Sequence, residues 1–336
     1  MEYSLPVIDM APLFEADGAK SRDKEKVASE IEKACRTSGF FYVTGHGIPA
    51  STIELLAEVS DEFFALPESE KMELSMDKGG LAWRGYFPVG GELTSGLADQ
   101  KEGLYFGTEL GTDDPRVQSG LPLHGANLWP NKDLQDVVTD YMSRTADVAQ
   151  ILLRGVAMSL SLDEDYFEKF YTSDPTVLFR IFHYPAVDCV PVGSWGVGEH
   201  TDYGLLTLLA QDDHGGLEVK SRGQWIGAPP IKDTLVCNIG DMLDRLTAGW
   251  YVSTPHRVRA QTNQGRLSFP LFFDPEFGVE MRPLPLVGKV AGKDGAEISR
   301  WDEADLHAFE GTYGDYLLGK VSKVFPNLGD SVLNSP

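Results

Sequence analysis

Two histidines and one aspartate stand at positions from which they could bind a single metal ion. His200 and Asp202 form an H-x-D pair, and His256 follows more than fifty residues later in the run Thr-Pro-His. On a β-strand, residues two apart point to the same face, so His200 and Asp202 can share one metal. Two imidazoles and one carboxylate suit a non-haem Fe(II) that keeps positions open for a co-substrate and dioxygen. The set predicts a facial iron triad, with His256 supplied by a second strand.

Arg266 and Ser268 follow this triad and offer a cation and a hydroxyl two residues apart. A guanidinium keeps its charge and can clamp a carboxylate through two parallel hydrogen bonds. On a strand the two side chains share one face. We therefore expect them to bind an anionic organic acid beside the metal.

The composition of the 336 residues argues against several classes of partner. A formal net charge of −22 disfavours nucleic acid and anionic membranes, because both need clustered Lys and Arg. No apolar stretch reaches the ~20 residues of a membrane span, and the opening MEYSLPVIDM lacks a signal-peptide pattern. Cys35, Cys189 and Cys237 are scattered, which favours a reducing compartment. We expect a cytoplasmic protein that acts on a small molecule without an obligate protein partner.

Helical patterns dominate the first half of the chain. Apolar residues recur at helical spacing over 21–38, ending at Gly39, and over about 134–160. Residues 39–43 read as a buried strand, and Ser51 to Glu54 have the pattern of a capping box at a helix start.

Short β-rich runs separated by Gly, Pro, Asp and Asn begin at about residue 176. Such regular spacing is typical of a jelly-roll or barrel and not of βαβ units. The tail returns to a helical pattern from about Trp301. The sequence predicts three parts: an N-terminal helical region (1–175), a jelly-roll catalytic domain (176–280) and a C-terminal helical extension (281–336).

The ordered motifs resemble the 2-oxoglutarate/Fe(II)-dependent dioxygenase superfamily, in its isopenicillin N synthase-like branch. The resemblance covers LPVIDM, CRTSGFFYVTGHGIP and residues about 177–276, with the triad in GVGEHTDYG and TPHRVR. It implies a mainly β fold with flanking helices, built on a distorted double-stranded β-helix (jelly-roll) core. It also implies that His200, Asp202 and His256 bind Fe(II), with 2-oxoglutarate as co-substrate and O2 as oxidant.

The resemblance further implies residues for the two organic ligands. Arg266, Ser268 and Tyr184 would hold a carboxylate of 2-oxoglutarate. In many plant members an Asn stands two residues before that Tyr, where this chain has Phe182. In the family the region matching 83–91 reaches over the iron, so we expect Arg84 and Tyr86 to contact the substrate, an acid or amino-acid-like molecule.

The predicted activity is an oxygenase that couples oxidative decarboxylation of 2-oxoglutarate, to succinate and CO2, to oxidation of a small organic substrate. Three alternatives remain open at this point. The first is a 2-oxoglutarate-independent Fe(II) oxidase of the isopenicillin N synthase type, although the C-terminal NLGDSVLNSP lacks the glutamine of that enzyme. The second is a non-catalytic jelly-roll binding protein, which has no need for three metal ligands. The third, a zinc hydrolase, leaves the Arg–Ser pair unexplained.

Overall fold

The computed structural model describes residues 4–15, 21–186, 194–221, 223–260, 264–286 and 305–325. Within these ranges the chain forms two main β-sheets and a layer of helices. The strands are β1 (Val7–Asp9), β2 (Phe40–Thr44), β3 (Gly85–Phe87), β4 (Leu93–Thr94), β5 (Leu97–Ala98), β6 (Glu102–Gly107), β7 (Thr176–Tyr184), β8 (Val197–His200), β9 (Leu206–Gln211), β10 (Leu217–Ser221), β11 (Gln224–Gly227), β12 (Leu235–Ile239), β13 (His256–Val258) and β14 (Arg266–Asp274).

The larger sheet has eight strands in the order β1-β2-β12-β9-β14-β7-β6-β3, and the smaller has four in the order β11-β10-β13-β8. All neighbours in these two sheets are antiparallel except β1 and β2. A short hairpin of β4 and β5 lies beside them. Residues of both sheets line one cavity, as expected for the predicted double-stranded β-helix. The mainly β fold class is confirmed.

The α-helices of the described residues are α1 (Ser21–Thr37), α2 (Ala50–Phe64), α3 (Glu68–Lys71), α4 (Pro115–Gln118), α5 (Lys132–Ser159), α6 (Tyr166–Phe170), α7 (Asp241–Leu246) and α8 (Tyr313–Val324). Short 3-10 helices cover Ala11–Phe14, Met72–Leu74 and Met76–Ala82. The two long predicted helices correspond to α1 and α5. Helix α5 packs on α1 and α2 and against β9 and β14, so it supports the back of the larger sheet.

Local sequence explains where several helices begin and end. The Asn131 side chain accepts a hydrogen bond from Leu134 N and caps α5. Gly39 ends the α1 segment at a φ of +62°, and a Cβ there would lie 2.2 Å from Val252 O, so the predicted stop requires glycine. The predicted capping box at Ser51 is wrong. Helix α2 begins at Ala50 and has no side-chain cap, because its N-cap residue is Pro49, whose side chain has no hydrogen-bond acceptor.

The larger sheet draws strands from both sides of residue 175. Strands β1, β2, β3 and β6 precede that residue, and β6 pairs directly with β7. The predicted division at 175/176 and 280/281 stays a prediction. Helix α8 agrees with the helical pattern expected after 301, while Trp301 itself lies outside the described residues.

Cys35 and Cys237 are buried free thiols, and Cys189 lies outside the described residues. Among the described helices, none combines the length and apolar character that crossing a bilayer demands.

Candidate metal centre and active-site cavity

His200, Asp202 and His256 meet at one end of the smaller sheet. His200 is the last residue of β8, and His256 is the first residue of β13. The two histidines are directly paired in the antiparallel register, and Asp202 follows two residues after β8. One ligand atom from each residue lies within 4.8 Å of the others. The spacing predicted from the sequence therefore brings the three donors together.

Backbone carbonyls orient the two imidazoles. Nδ1 of His200 donates to Gly198 O at 2.8 Å, and Nδ1 of His256 donates to Thr254 O at 3.2 Å. A proton on Nδ1 leaves the Nε2 lone pair as the donor to a metal. The Nε2 atoms of His200 and His256 lie 3.8 and 3.7 Å from Asp202 Oδ1. The two Nε2 atoms and Asp202 Oδ1, which would be the metal ligands, therefore face a common centre.

The Asp202 carboxylate is held on its other side. Its Oδ2 accepts a hydrogen bond from the Thr207 hydroxyl at 2.6 Å and another from the Asn238 amide at 2.7 Å. These two bonds fix the rotamer and leave Oδ1 facing the histidines. Sequence reasoning missed both donors. Thr207 lies five residues after Asp202, on β9. Asn238 lies on β12 and is directly paired with Thr207, so the sheet order brings its amide next to Asp202.

The protonation states suit a cation. Burial, followed by the charge of His200, lowers the pKa of His256 to about 4, and burial also lowers the pKa of His200. Burial alone would raise the pKa of Asp202, but His256, His200 and its two hydrogen bonds hold that pKa below its usual value. Two neutral imidazoles and one carboxylate form the donor set that Fe(II) accepts in a facial triad.

Arg266 lies in the same cavity and has spare hydrogen-bond donors. Its side chain is buried, at 1% exposure, and its Nη2 donates to Gln211 Oε1 at 3.3 Å. Its Nε and Nη1 are buried with no hydrogen-bond partner among the described residues. An orphaned buried guanidinium costs free energy, so these atoms fit an anionic ligand that supplies the missing acceptors.

Ser268 and Tyr184 complete the surroundings of Arg266. Arg266 is paired with Tyr184 across β14 and β7, and its guanidinium lies 4.8 Å from the centre of the Tyr184 ring. The Ser268 hydroxyl lies 3.5 Å from the Tyr184 hydroxyl. Phe182 also lines this cavity. The three residues predicted to hold a carboxylate are therefore gathered at one place.

The structure does not support the predicted substrate role of Arg84. Its guanidinium is buried and donates to Thr108 O, Gly125 O and Leu123 O at 2.7 to 3.1 Å, and to Asn127 Oδ1 at 3.2 Å. Arg84 does not line the cavity of the triad. The side chain ties together loops that are far apart in the sequence, so we correct its role to a structural one.

The substrate role predicted for Tyr86 is corrected in the same way. Its hydroxyl donates to Glu102 Oε2 at 2.6 Å, and that oxygen also accepts from Lys71 Nζ at 2.6 Å. His183 Nδ1 lies 2.8 Å from the other oxygen of Glu102. Tyr86 belongs to this buried polar network and does not line the cavity of the triad.

Sequence reasoning also missed four ionisable residues that line the cavity. These are Glu92, Lys101, Arg180 and Asp274. Arg180 had a readable signal, because it lies four residues before Tyr184 on the same strand and so shares its face. Glu92 and Lys101 lie near a short hairpin and carry no comparable local pattern.

Comparison with known proteins agrees with this site. Residues 5–132 match the family described as non-haem dioxygenase in morphine synthesis N-terminal, and residues 175–275 match the 2OG-Fe(II) oxygenase superfamily. The chain is 47% identical to a Dictyostelium discoideum protein named a probable iron/ascorbate oxidoreductase, over 98% of this chain and 97% of that one. It is 35% identical to the 1-aminocyclopropane-1-carboxylate oxidase of Dictyostelium mucoroides, over 96% and 95% of the two chains.

A solved structure supports the same class. The crystal structure of a full-length Neurospora crassa protein in complex with alpha-KG and thymine is 28% identical, covers 95% of this chain and 96% of that chain, and has a TM-score of 0.77. Fold and site define a non-haem iron oxygenase that uses 2-oxoglutarate. The chain belongs to the 2-oxoglutarate/Fe(II) oxygenase superfamily.

Proposed function

We propose that His200, Asp202 and His256 hold the catalytic iron of this 2-oxoglutarate-dependent oxygenase, and that Arg266, with Ser268 and Tyr184, holds a carboxylate of the co-substrate. The observation that carries the proposal is the buried Arg266 guanidinium. It has two unpartnered donors among the described residues and lines the same cavity as the triad. A fixed cation beside a metal is what a chelating, doubly anionic acid needs.

The residues of the chain prepare and enclose the site. The carbonyls of Gly198 and Thr254 keep the two imidazoles in the metal-binding tautomer, while Asn238 and Thr207 hold the carboxylate in place. Apolar side chains from β7, β14 and α8 limit the water that reaches the cavity. When bound, Fe(II) would supply the chemistry by which O2 oxidatively decarboxylates 2-oxoglutarate, to succinate and CO2, and oxidises a substrate C–H bond.

We propose a small organic molecule as the primary substrate and the isopenicillin N synthase-like branch as the place of the chain in the superfamily. Two relatives are associated with different small molecules, one named for 1-aminocyclopropane-1-carboxylate and one crystallised with thymine. The net charge of −22 supports a protein that does not bind nucleic acid or membranes and has no obligate protein partner. The two buried free thiols support a cytoplasmic location.

The test is the stoichiometry of the reaction in the presence of Fe(II), 2-oxoglutarate and oxygen. We expect one succinate for each 2-oxoglutarate consumed, with no turnover when the iron is chelated. Oxygen uptake that needs iron but neither consumes 2-oxoglutarate nor forms succinate would assign the chain to the oxidase type instead.

A further inference from the structure

The cavity contains a second arginine away from Arg266. Leu178, Arg180, Phe182 and Tyr184 alternate along β7 and all line the cavity. Arg180 lies four residues before Tyr184, which corresponds to ~13 Å along a strand at about 3.3 Å per residue. Because Tyr184 is paired with Arg266, the two arginines sit at separate places along one cavity face.

The Arg180 guanidinium is stacked but hardly hydrogen-bonded. It lies 4.1 Å from the centre of the Tyr105 ring and 4.8 Å from the centre of the Phe272 ring. Its one ion pair among the described residues, with Glu92 Oε1, is 3.6 Å long, which is too long for a hydrogen bond. Its five N–H donors make no hydrogen bond to the described residues. The rings therefore orient the planar group and leave its donor edge available to a ligand.

Lys101 is the third cation of the cavity, and its charge is already neutralised by two carboxylates. Its ammonium lies 2.5 Å from Asp99 Oδ2 and 2.6 Å from Glu92 Oε2. The remaining oxygen of Glu92 accepts from the Tyr105 hydroxyl at 2.5 Å. The carboxylates of Asp99 and Glu92 are therefore bound by Lys101 and Tyr105. Apart from Arg266, this leaves Arg180 as the cation of the cavity that can bind a further anion.

The surroundings of Arg180 indicate the class of that anion. Leu178, Leu317 and Val324 are apolar and line the same cavity, so the rest of the ligand is expected to be hydrocarbon-like. A planar carboxylate can accept two parallel hydrogen bonds from the donor edge of a guanidinium. Glu92, at 3.6 Å, disfavours a dianion such as a phosphate monoester, because repulsion grows with the ligand's charge.

We propose that Arg180 binds the carboxylate of the primary substrate, a small organic acid with an apolar body, while Arg266 binds 2-oxoglutarate. This inference rests on the proposed function, because it assigns the second arginine only if the first is used by the co-substrate. On this proposal, Arg180 is the residue by which the enzyme selects acids over neutral molecules of the same shape.

The test measures binding to the full-length enzyme loaded with Mn(II), in place of Fe(II), and saturating 2-oxoglutarate. The probes are hexanoate, 4-phenylbutyrate and L-norleucine, each with its primary amide, and hexyl phosphate. We expect at least one acid to raise the unfolding temperature while its amide does not. In Arg180→Gln the affinity for that acid should fall about tenfold to a hundredfold, as for loss of hydrogen bonds to a charged group.

Matched variants separate binding from folding. Arg180→Lys keeps the charge and should recover part of the affinity, and circular dichroism checks that both variants fold. Arg144→Gln removes an exposed arginine of α5 that pairs with Asp140, and should bind the acid as the wild type does.

Four results would overturn the inference: no acid binds, the amide binds as well as the acid, hexyl phosphate binds more tightly than hexanoate, or Arg180→Gln keeps full affinity. Failure of the proposed function is seen separately, as absence of succinate formation from 2-oxoglutarate by the wild-type iron enzyme.

Discussion

His200 and His256 face each other as a directly paired couple on β8 and β13, with their ring centres 4.2 Å apart. The antiparallel register thus brings together two residues that are 56 positions apart in the chain. The pairing shifts immediately afterwards, between His256 and Val258. Irregular pairing of this kind, as in a β-bulge, re-aims side chains next to functional sites, and here the shift lies at the residue whose Nε2 faces Asp202.

Loss of the bonds that hold Asp202 should weaken metal binding. In Asn238→Ala or Thr207→Val, Oδ2 of Asp202 loses one donor and the carboxylate gains rotational freedom. We expect the affinity for Fe(II) to fall about tenfold to a hundredfold, the usual effect of such outer contacts. A competition titration under argon measures it, with Thr207→Ser as the control that keeps a hydroxyl. Wild-type affinity in both variants would show that these bonds do not position the ligand.

Arg266→Lys should impair use of the co-substrate. Lysine keeps the positive charge but loses the planar fork, so the KM for 2-oxoglutarate should rise by about one to two powers of ten. Steady-state succinate formation measures this, and Arg144→Lys on the exposed face of α5 is the control. An unaltered KM for 2-oxoglutarate with a collapse of substrate binding would instead assign Arg266 to the substrate.

Asp274 should make stability depend on pH. Burial, with a further contribution from the charge of Asp202, raises the pKa of Asp274 from 3.8 to about 7. Between these values the unfolded chain has released the proton and the folded protein still holds it, so rising pH favours unfolding. The Asp274 contribution is therefore fully present below about pH 4, decreases up to about pH 7 and is constant above it.

The matched variant for this effect is Asp274→Asn, which has no proton to lose. The free energy of unfolding of the wild type minus that of the variant should decrease between pH 4 and pH 7, by a few kcal/mol at about 1.4 kcal/mol per pKa unit. Urea unfolding at several pH values measures the difference. A difference that does not vary with pH would mean that Asp274 is ionised throughout this range.

Arg84→Met should destabilise the fold without changing the affinity for 2-oxoglutarate. The variant leaves the buried carbonyls of Gly125 and Leu123 without their donor, and we expect the free energy of unfolding to drop by about 3 kcal/mol. Chemical denaturation measures the drop against Arg144→Met. Full stability combined with loss of substrate binding would restore the substrate role first predicted for Arg84.

The triad was predictable because its geometry follows from local rules. An H-x-D pair on a strand shares a face by the two-residue period, and the motif order supplied the partner strand. The same period places Arg266 beside Ser268. These residues could be predicted without knowing how distant parts of the chain pack.

Arg84 and Asn238 were not predictable for the opposite reason. The direction of the Arg84 side chain depends on carbonyls more than twenty residues away, reached after a left-handed backbone at Trp83 with φ of 55°. Asn238 meets Asp202 only because β12 lies next to β9 in the sheet. Neither relation leaves a pattern in neighbouring sequence.

The central claim is that His200, Asp202 and His256 form the iron site, and an anaerobic Fe(II) titration of His256→Ala tests it most directly. His214→Ala is the matched control, because His214 also lies beside an aspartate, with its Nδ1 3.0 Å from Asp212 Oδ2, but is exposed on a turn. We expect one tightly bound iron per chain in the wild type and in His214→Ala, and none in His256→Ala. Undiminished iron binding by His256→Ala would contradict the assignment of the site.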